Sequence, residues 1–178
     1  EPNAMVLSTA NSAGEISSRT VLLKGIDERG LTFFTNYGSR KAQAIADHDQ
    51  VTVVFPWYPL HRQVVVSGKA SKVSREESQE YFQIRPHLSQ LGAMASAQST
   101  PIDSRDVIET KMAELQAQYP EGTEVPFPDN WGGYLIEVDQ IEFWQGRRSR
   151  LHDRLRFLSQ GGHDLANAAN WKVQRFSP

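Results

Sequence analysis

The feature that most constrains the fold is a series of short β-strand patterns near both ends of the chain. Turn sequences separate the first of them: Asn-Ser-Ala-Gly at 11–14 and Asp-Glu-Arg-Gly at 27–30. Short connections of this kind join neighbouring strands that run in opposite directions, so the start of the chain is predicted to be an antiparallel meander. The predicted strands are residues 5–10, 19–26, 31–35, 51–55, 63–73, 134–138, 141–145, 151–158 and 171–176.

Helical patterns interrupt the strands in the middle of the chain. Ser39 can cap a first helix, and Ser74 with Glu77 has the spacing of a capping box that opens a second, which ends near Pro86. Two more helices are predicted at residues 87–95 and 103–119. In the last one, apolar side chains recur at helical spacing and are predicted to be core residues: Ile108, Met112, Leu115 and Tyr119.

These segments predict a mainly β protein with peripheral α-helices. A barrel is expected because closure of the sheet removes the unpaired edges that so many strands would otherwise expose. No linker-like tract and no repeat divides the sequence, so residues 1–178 are expected to form a single domain. Gly68 lies inside a predicted strand and is expected to mark a bulge or the close approach of another backbone.

The composition excludes several classes of function. The 178 residues include no cysteine, which excludes disulfides and thiolate chemistry and favours a reducing compartment, the cytoplasm. A net charge of only -2 argues against nucleic acid as a partner, and the longest apolar stretches are too short for a membrane span. The five histidines show no metal-ligand spacing, so no metal site is expected. Sequence motifs for nicotinamide, P-loop and serine-hydrolase sites are missing as well.

Two basic segments are candidate anion-binding sites. At the first, Gly38-Ser39 precedes Arg40-Lys41 at a predicted helix start, where backbone N–H groups and the helix dipole favour an anion. Basic side chains in a first turn oppose that dipole unless an anion lies nearby, although an ordinary capped helix is the alternative interpretation. The second segment has five arginines between residues 147 and 156, directly after an aromatic strand end.

Arg150 and His152 are the candidate catalytic residues of the second segment. They are two residues apart on a predicted strand and should project to the same face, where both could contact one flat ligand. Arginine can grip phosphate or carboxylate through two parallel hydrogen bonds, and histidine is the side chain whose protonation changes near neutral pH. A solvated basic strand followed by a hairpin is the alternative interpretation.

Ordered sequence blocks run through most of the chain and share one resemblance. They are residues 19–24 (RTVLLK), 34–36 (FTN), 38–42 (GSRKA), 55–57 (FPW), 62–64 (RQV), 68–70 (GKA), 81–82 (YF), 85–86 (RP), 89–93 (SQLGA), 98–99 (QS), 141–145 (IEFWQ) and 150–154 (RLHDR). The series resembles the pyridoxamine 5′-phosphate oxidase family, FMN enzymes that make pyridoxal 5′-phosphate. The resemblance implies the split β-barrel of FMN-binding proteins, arranged as a homodimer whose active sites are shared between the subunits.

The resemblance also implies a set of FMN contacts. Those expected contacts are Arg19, Thr20, Val21, Leu22, Leu23, Lys24, Phe34, Thr35, Ser39, Arg40, Lys41, Gln63, Gln98, Ser99, Trp144 and Arg154. For Phe34, Gln63 and Trp144, simple core or strand packing is an equal alternative. The predicted strand at 19–26 would place Thr20, Leu22 and Lys24 on one face, because side chains alternate along a strand.

A second phosphate site is implied for the substrate, pyridoxine or pyridoxamine 5′-phosphate. The expected substrate contacts are Lys24, Tyr81, Arg85, Ser89, Arg150, Leu151 and His152. Tyr81, Arg85 and Ser89 are spaced four apart, so they would share one face of a continuous helix or, with a break at Pro86, line a corner between two helices. Plain surface is the alternative interpretation.

The implied reaction passes a hydride from C4′ of the substrate to flavin N5, after which O2 takes the electrons and leaves as H2O2, with NH3 released from the amine substrate. Arg150 would cover the substrate ring, and His152 would assist proton movement. Two other functions stay open: a related FMN oxidase acting on another flat reduced ring, such as a phenazine precursor, and a non-catalytic barrel that binds flavin or pyridoxal phosphate.

Overall fold

A computed structural model describes residues 1–178, with nine β-strands and four α-helices. The strands are β1 (Ala4–Ala10), β2 (Ile16–Leu22), β3 (Gly25–Asp27), β4 (Gly30–Asn36), β5 (Gln50–Trp57), β6 (Arg62–Lys72), β7 (Trp131–Gln145), β8 (Asp153–Ser159) and β9 (Trp171–Phe176). The helices are α1 (Arg40–Asp47), α2 (Arg75–Gln83), α3 (His87–Ala95) and α4 (Asp106–Gln118). The prediction of a mainly β protein with helices in mid-chain is therefore confirmed.

The strands form one nine-stranded sheet in the order β2-β1-β5-β6-β7-β4-β3, and β8 joins β7 to β9 beyond this path. β1 and β2 pair antiparallel with Leu7 opposite Arg19, as expected for the predicted meander. Gly68 of β6 confirms the expected close approach, because a Cβ atom built there would lie 1.9 Å from the carbonyl oxygen of Glu137. Only glycine fits that position without a shift of the backbone.

Three strand predictions are corrected by the structure. The predicted strand at 19–26 is divided into two strands with different partners, since β2 ends at Leu22 and pairs with β1, whereas β3 begins at Gly25 and pairs with β4. The predicted strands at 134–138 and 141–145 are parts of the single strand β7. The predicted strand at 151–158 begins at Asp153, because Ser149 and Arg150 adopt left-handed backbone angles.

The helix starts follow from their caps. The Ser74 hydroxyl accepts a hydrogen bond from the backbone N–H of Glu77 at 3.0 Å, as the capping-box prediction requires. The predicted helix at 103–119 begins later, at Asp106. Of its four predicted core side chains, Leu115 is buried, Met112 and Tyr119 are partly buried and pack against the core, and Ile108 is exposed.

The chain divides into two compact units, each with its own core. Unit 1 comprises residues 1–33, 44–71 and 134–178. Its fully buried side chains include Met5, Leu7, Phe33, Val53 and Ile136. Unit 2 comprises residues 34–43 and 72–133, and its core is formed by Phe82, Leu91, Ala95, Leu115, Val125 and Trp131. A single domain over residues 1–178 stays a prediction.

Candidate active site

Three of the predicted cofactor residues of unit 2 form one hydrogen-bonded cluster, Lys41, Thr35 and Gln98. The Lys41 ammonium donates to the Thr35 hydroxyl at 3.1 Å and to the side-chain oxygen of Gln98 at 2.9 Å. Thr35 in turn donates to the same oxygen of Gln98 at 2.9 Å. Lys41 is only 7% exposed, which is unusual for a lysine. Residues far apart in the sequence thus build a cationic corner.

The backbone around this cluster is also specialised. Ser39 is fully buried, and its hydroxyl accepts from the backbone N–H of Ala42 at 3.4 Å, so it caps α1 as predicted. Arg40 is exposed in the first turn of the same helix. Ser99, next to Gln98, has a φ of 72°, a left-handed conformation that costs free energy in a residue other than glycine. Such strain is common at ligand-binding positions, and the FMN contact of Ser99 stays a prediction.

A second cationic corner of unit 2 lies between α2 and α3. Tyr81 belongs to α2, Arg85 to the connection and Ser89 to α3, so of the two predicted arrangements the corner between helices is the one found. The side chain of Gln90 fixes this corner by donating to the carbonyl oxygens of Gln83 at 3.2 Å and Arg85 at 2.9 Å. All three predicted substrate residues are partly buried.

Arg85 is the most unusual residue of the corner. Its Nη1 atom is buried without a hydrogen-bond partner, and its guanidinium carbon lies 4.6 Å from the centre of the Trp131 ring. Burial lowers the pKa of Arg85, an effect that the nearby Tyr81 partly offsets. A buried donor without a partner is costly. An anionic ligand that accepts from this nitrogen would remove that cost.

Aromatic rings pack beside this corner. Phe34 stacks on Tyr81 with ring centres 3.9 Å apart and on Trp131 at 5.4 Å. Phe34 thus packs against neighbouring side chains, as its alternative interpretation states. Its contact with the flavin stays a prediction. Trp131 was not singled out in the sequence, although an aromatic residue three positions before the predicted strand at 134–138 was a usable signal.

Two predicted cofactor residues of unit 1 lie on one face of the β7–β8 pair. Trp144 and Arg154 are directly opposite each other, so their side chains share a face. Glu142 lies on the same face, and its carboxylate binds Arg154 through two hydrogen bonds, from Nε at 3.0 Å and from Nη2 at 2.9 Å. Arg156 contacts the same carboxylate through its Nε. Glu142 was missed in the sequence, although strand alternation from Trp144 could have found it.

The protonation of this cluster is fixed by its contacts. Desolvation alone would raise the pKa of Glu142, but the hydrogen bonds and charges of Arg154 and Arg156 outweigh it and hold that pKa below its usual value. The Glu142 carboxylate likewise raises the pKa of Arg154. Glu142 and Arg154 are therefore both charged at neutral pH.

The candidate catalytic residues lie outside β8, which corrects the prediction that they share a strand face. Arg150 has a φ of 61° at the end of a short 3-10 turn, and it is exposed with no hydrogen bond or ion pair. His152 packs against Trp144 with ring centres 4.7 Å apart. Its Nδ1 accepts the backbone N–H of Arg147 at 3.1 Å. The neutral imidazole therefore carries its proton on Nε2 and offers a donor there.

Salt bridges hold the loop that carries Arg150 and His152. Arg147 and Arg175 each contact Asp153 at 2.7 Å, and these hydrogen bonds hold the pKa of Asp153 below its usual value. The backbone N–H of Gly146 donates to the carbonyl of His61 at 2.8 Å. The loop thus begins and ends at anchored residues.

The other predicted residues of unit 1 have ordinary surroundings. Arg19 donates to the Leu7 carbonyl at 3.2 Å and to the Thr9 hydroxyl at 2.9 Å. Lys24 lies in the break between β2 and β3, so the predicted strand face that it would share with Thr20 and Leu22 does not exist. The remaining predicted contacts of this unit, none of which has a side-chain hydrogen bond, are Thr20, Val21, Leu22, Leu23, Gln63 and Leu151.

The residues present fit a phosphorylated flavin. The buried Lys41 ammonium and the exposed Arg40 provide two cations in the first turn of α1, an arrangement of the kind that holds a phosphate. The partly buried Trp144 provides a flat apolar surface next to the Arg154 guanidinium. None of the helices is long and apolar enough to cross a bilayer.

Comparison with known proteins identifies the family. Residues 1–119 match the model of the pyridoxamine 5′-phosphate oxidase family, and residues 131–178 match that of the pyridoxine 5′-phosphate oxidase C-terminal dimerisation region. The chain belongs to the pyridoxamine 5′-phosphate oxidase family, which is a family of oxidoreductases.

Two curated relatives share the full length of the chain. A pyridoxine/pyridoxamine 5′-phosphate oxidase of Streptomyces avermitilis is 52% identical over 100% of this chain and 77% of its own length. Another, from Rhodopirellula baltica, is 49% identical over 100% of this chain and 78% of its own length.

Solved structures confirm the split-barrel fold class. The crystal structure of PhzG from Burkholderia lata 383, in complex with tetrahydrophenazine-1-carboxylic acid, matches with a TM-score of 0.90 and 31% identity, covering 99% of this chain and 83% of that one. A pyridoxamine 5′-phosphate oxidase-related, FMN binding protein from Nostoc punctiforme matches with a TM-score of 0.74 and 18% identity, covering 99% of this chain and 89% of that one, which supports the fold alone.

Proposed function

We propose that this chain is an FMN-dependent oxidase that converts pyridoxine and pyridoxamine 5′-phosphate to pyridoxal 5′-phosphate. Each turnover oxidises the C4′ carbon by two electrons and reduces one O2 to H2O2. The amine substrate also consumes one water and releases NH3. Full-length relatives with this name at 52% and 49% identity support the substrate class.

The observation that carries the proposal is the second cationic corner. A phosphorylated substrate needs an anion site of its own, apart from the one that holds the FMN phosphate. The partnerless Nη1 of Arg85 and the partly buried Tyr81 and Ser89 fit that requirement, since a phosphate oxygen could accept from each of them. The Thr35–Lys41–Gln98 cluster fits the cofactor phosphate, with Arg40 as a further cation.

Redox chemistry at C4′ is what FMN supplies when bound, since no side chain of the chain can accept two electrons. The protein's own residues bind, orient and protect. Arg150, exposed and without an ion pair, is suited to hold the substrate ring. The proton that His152 carries on Nε2 makes it a hydrogen-bond donor to a substrate oxygen or nitrogen, because its Nδ1 is already occupied by the backbone of Arg147.

The proposed assembly is a homodimer with shared active sites. Phe143 and Val173 are 47% and 52% exposed, and Phe157, directly opposite Val173 on β8, contacts Phe143 edge to face. These three side chains form an apolar patch within the segment that matches a dimerisation region. An apolar patch of this kind is suited to an isologous contact with a second copy. Light scattering of the FMN-loaded protein should give a dimer, and a monomer with full FMN affinity would contradict the assembly.

The reaction is tested directly with purified protein and added FMN. Pyridoxamine 5′-phosphate should be converted to pyridoxal 5′-phosphate with one O2 consumed and one H2O2 formed per product. A protein that does not retain FMN, or that retains it and forms no product, would refute the proposal.

The likeness to PhzG favours a second candidate, an FMN oxidase acting on a reduced tricyclic acid. The two functions differ in the phosphate that the substrate carries. If the Arg85 corner binds phosphate, the phosphorylated vitamer should be strongly preferred over pyridoxamine. Equal turnover of both compounds, together with oxidation of a dihydrophenazine carboxylate, would favour the second candidate.

A further inference from the structure

Glu142 is an acid placed among arginines at the predicted cofactor face of unit 1. It is 6% exposed and accepts three hydrogen bonds, two from Arg154 and one from Arg156. A lone buried carboxylate on a face that should attract an anionic ligand would be unfavourable for binding. Its presence there needs a reason beyond charge.

The geometry of the contact supplies that reason. The two parallel hydrogen bonds to Arg154 fix the plane of the guanidinium, which a single contact would not do. Nη1 of Arg154 donates to the carbonyl oxygen of Ser177 at 3.2 Å. Three of the five guanidinium N–H groups are thereby used, and one on each terminal nitrogen is left for a ligand.

The charge of the cluster is still positive. Glu142 binds Arg154 and Arg156 at once, so two cations and one anion leave a net charge of +1. Arg156 is held on its other side by the ring of Phe176, whose centre lies 4.2 Å from the guanidinium carbon. Without the carboxylate, the two guanidinium groups would repel each other, and Arg154 would lose its fixed orientation.

We propose that Glu142 is a positioning residue for the cofactor site, holding Arg154 in the orientation in which its two unused N–H groups are available to FMN. The inference rests on the proposed FMN role of Arg154. Glu142 does not touch the cofactor in this account and acts through Arg154 alone.

A double-mutant cycle on FMN affinity separates positioning from general support of the fold. The dissociation constant of FMN is measured by quenching of flavin fluorescence on titration of the apoprotein, so no turnover is needed. Arg154→Ala and the isosteric Glu142→Gln should each weaken FMN binding at least about tenfold, the scale of a lost hydrogen bond to a charged group. In the Arg154→Ala background, Glu142→Gln should have no further effect.

Glu137 provides the matched control. It lies on the same strand, and its carboxylate is 3.8 Å from Nε2 of His163, so Glu137→Gln makes the same charge change without touching Arg154. This variant should bind FMN like the wild type. Arg154→Lys gives an independent test that leaves Glu142 in place: the charge remains but the planar fork is lost, so its FMN affinity should fall toward that of Arg154→Ala.

Several results would overturn the inference. One is wild-type FMN affinity in Glu142→Gln or in Arg154→Lys. Another is a double variant, Arg154→Ala with Glu142→Gln, whose loss of FMN affinity equals the product of the two single losses. Unchanged FMN affinity in Arg154→Ala would show that Arg154 has no cofactor role, and the inference about Glu142 would fail with it. The rest of the proposed function would still stand in that case, provided that the wild-type protein binds FMN. A wild-type protein that does not bind FMN would refute the proposed function itself.

Discussion

Arg85 and Arg154 are both predicted to bind phosphorylated ligands, yet their surroundings in the protein are opposite. Arg85 is partly buried in the corner between α2 and α3, its buried Nη1 has no hydrogen-bond partner, and burial lowers its pKa. Arg154 is bound by a carboxylate on two nitrogens, and its pKa is raised. The first site is incomplete without an anion, whereas the second is already ordered. We therefore expect the loss of Arg85 to weaken binding of the substrate, which exchanges in each turnover. The loss of Arg154 should instead weaken binding of FMN, which remains bound.

The largest effect is expected from Arg85→Ala. It removes the unpaired donor, so kcat/KM for pyridoxamine 5′-phosphate should fall. The expected loss of transition-state stabilisation is about 4 kcal/mol, within the range for truncating a charged hydrogen-bonded partner. The FMN dissociation constant should stay at the wild-type value. Loss of FMN with normal turnover at saturating FMN would reverse the roles assigned to the two arginines.

Arg150 sharpens the comparison because it is neither buried nor paired. Arg150→Ala should retain the flavin colour and cost about 2 to 4 kcal/mol in kcat/KM if the side chain holds the charged substrate. Arg40→Ala and Lys41→Ala should instead mainly weaken FMN retention. Steady-state kinetics at saturating FMN across the three variants measures the difference, and an Arg150→Ala enzyme that only loses flavin would contradict it.

Acid should remove the contribution of the Glu142 cluster to stability. The pKa of Glu142 is lowered by folding, so its contribution is present above the unfolded pKa of about 4.3 and is lost as pH falls through the folded value. At pH 7, Glu142→Gln should reduce the free energy of unfolding by about 2 kcal/mol. Urea unfolding of both proteins from pH 7 to pH 3 should show this gap narrowing below about pH 4.3. A gap that widens in acid would contradict the ion pairing.

The smallest effect distinguishes the two nitrogens of His152. Gln places an amide near the position of Nε2, whereas Asn places one near Nδ1. Because the donor assigned to the ligand is Nε2–H, His152→Gln should retain more activity than His152→Asn, by about 1 kcal/mol in kcat/KM. The reverse order would show that Nδ1 is the working atom.

Local signals in the sequence were sufficient to predict the helix boundaries that a capping residue or a proline sets. Ser74 began α2, and α3 covers the predicted residues 87–95 because Pro86 prevents a continuous helix. The split barrel was predicted only through the family resemblance, since strand patterns alone specify a closed antiparallel sheet of no particular type.

The remaining errors arose where long-range contacts override local preference. Asp139-Gln140 resembles a turn, yet β7 continues through it and pairs with β8 from Gln140 onward. Ser149 and Arg150 adopt a left-handed conformation that a glycine usually indicates in a sequence. Because neither residue is glycine, the start of β8 was placed too early. The Thr35–Lys41–Gln98 cluster was no such error, but it joins residues up to 63 positions apart, so Thr35 and Gln98 were predicted beside Lys41 only through the family resemblance.

Anaerobic mixing of the FMN-loaded protein with pyridoxamine 5′-phosphate tests the central claim most directly. The claim is that Arg85 completes a phosphate site that delivers a substrate to the flavin. The wild-type flavin should be bleached by pyridoxamine 5′-phosphate far faster than by pyridoxamine, and Arg85→Ala should abolish that preference without releasing FMN. An oxidised flavin spectrum that stays unchanged while pyridoxamine 5′-phosphate is bound would show a carrier in place of an oxidase and would contradict the account.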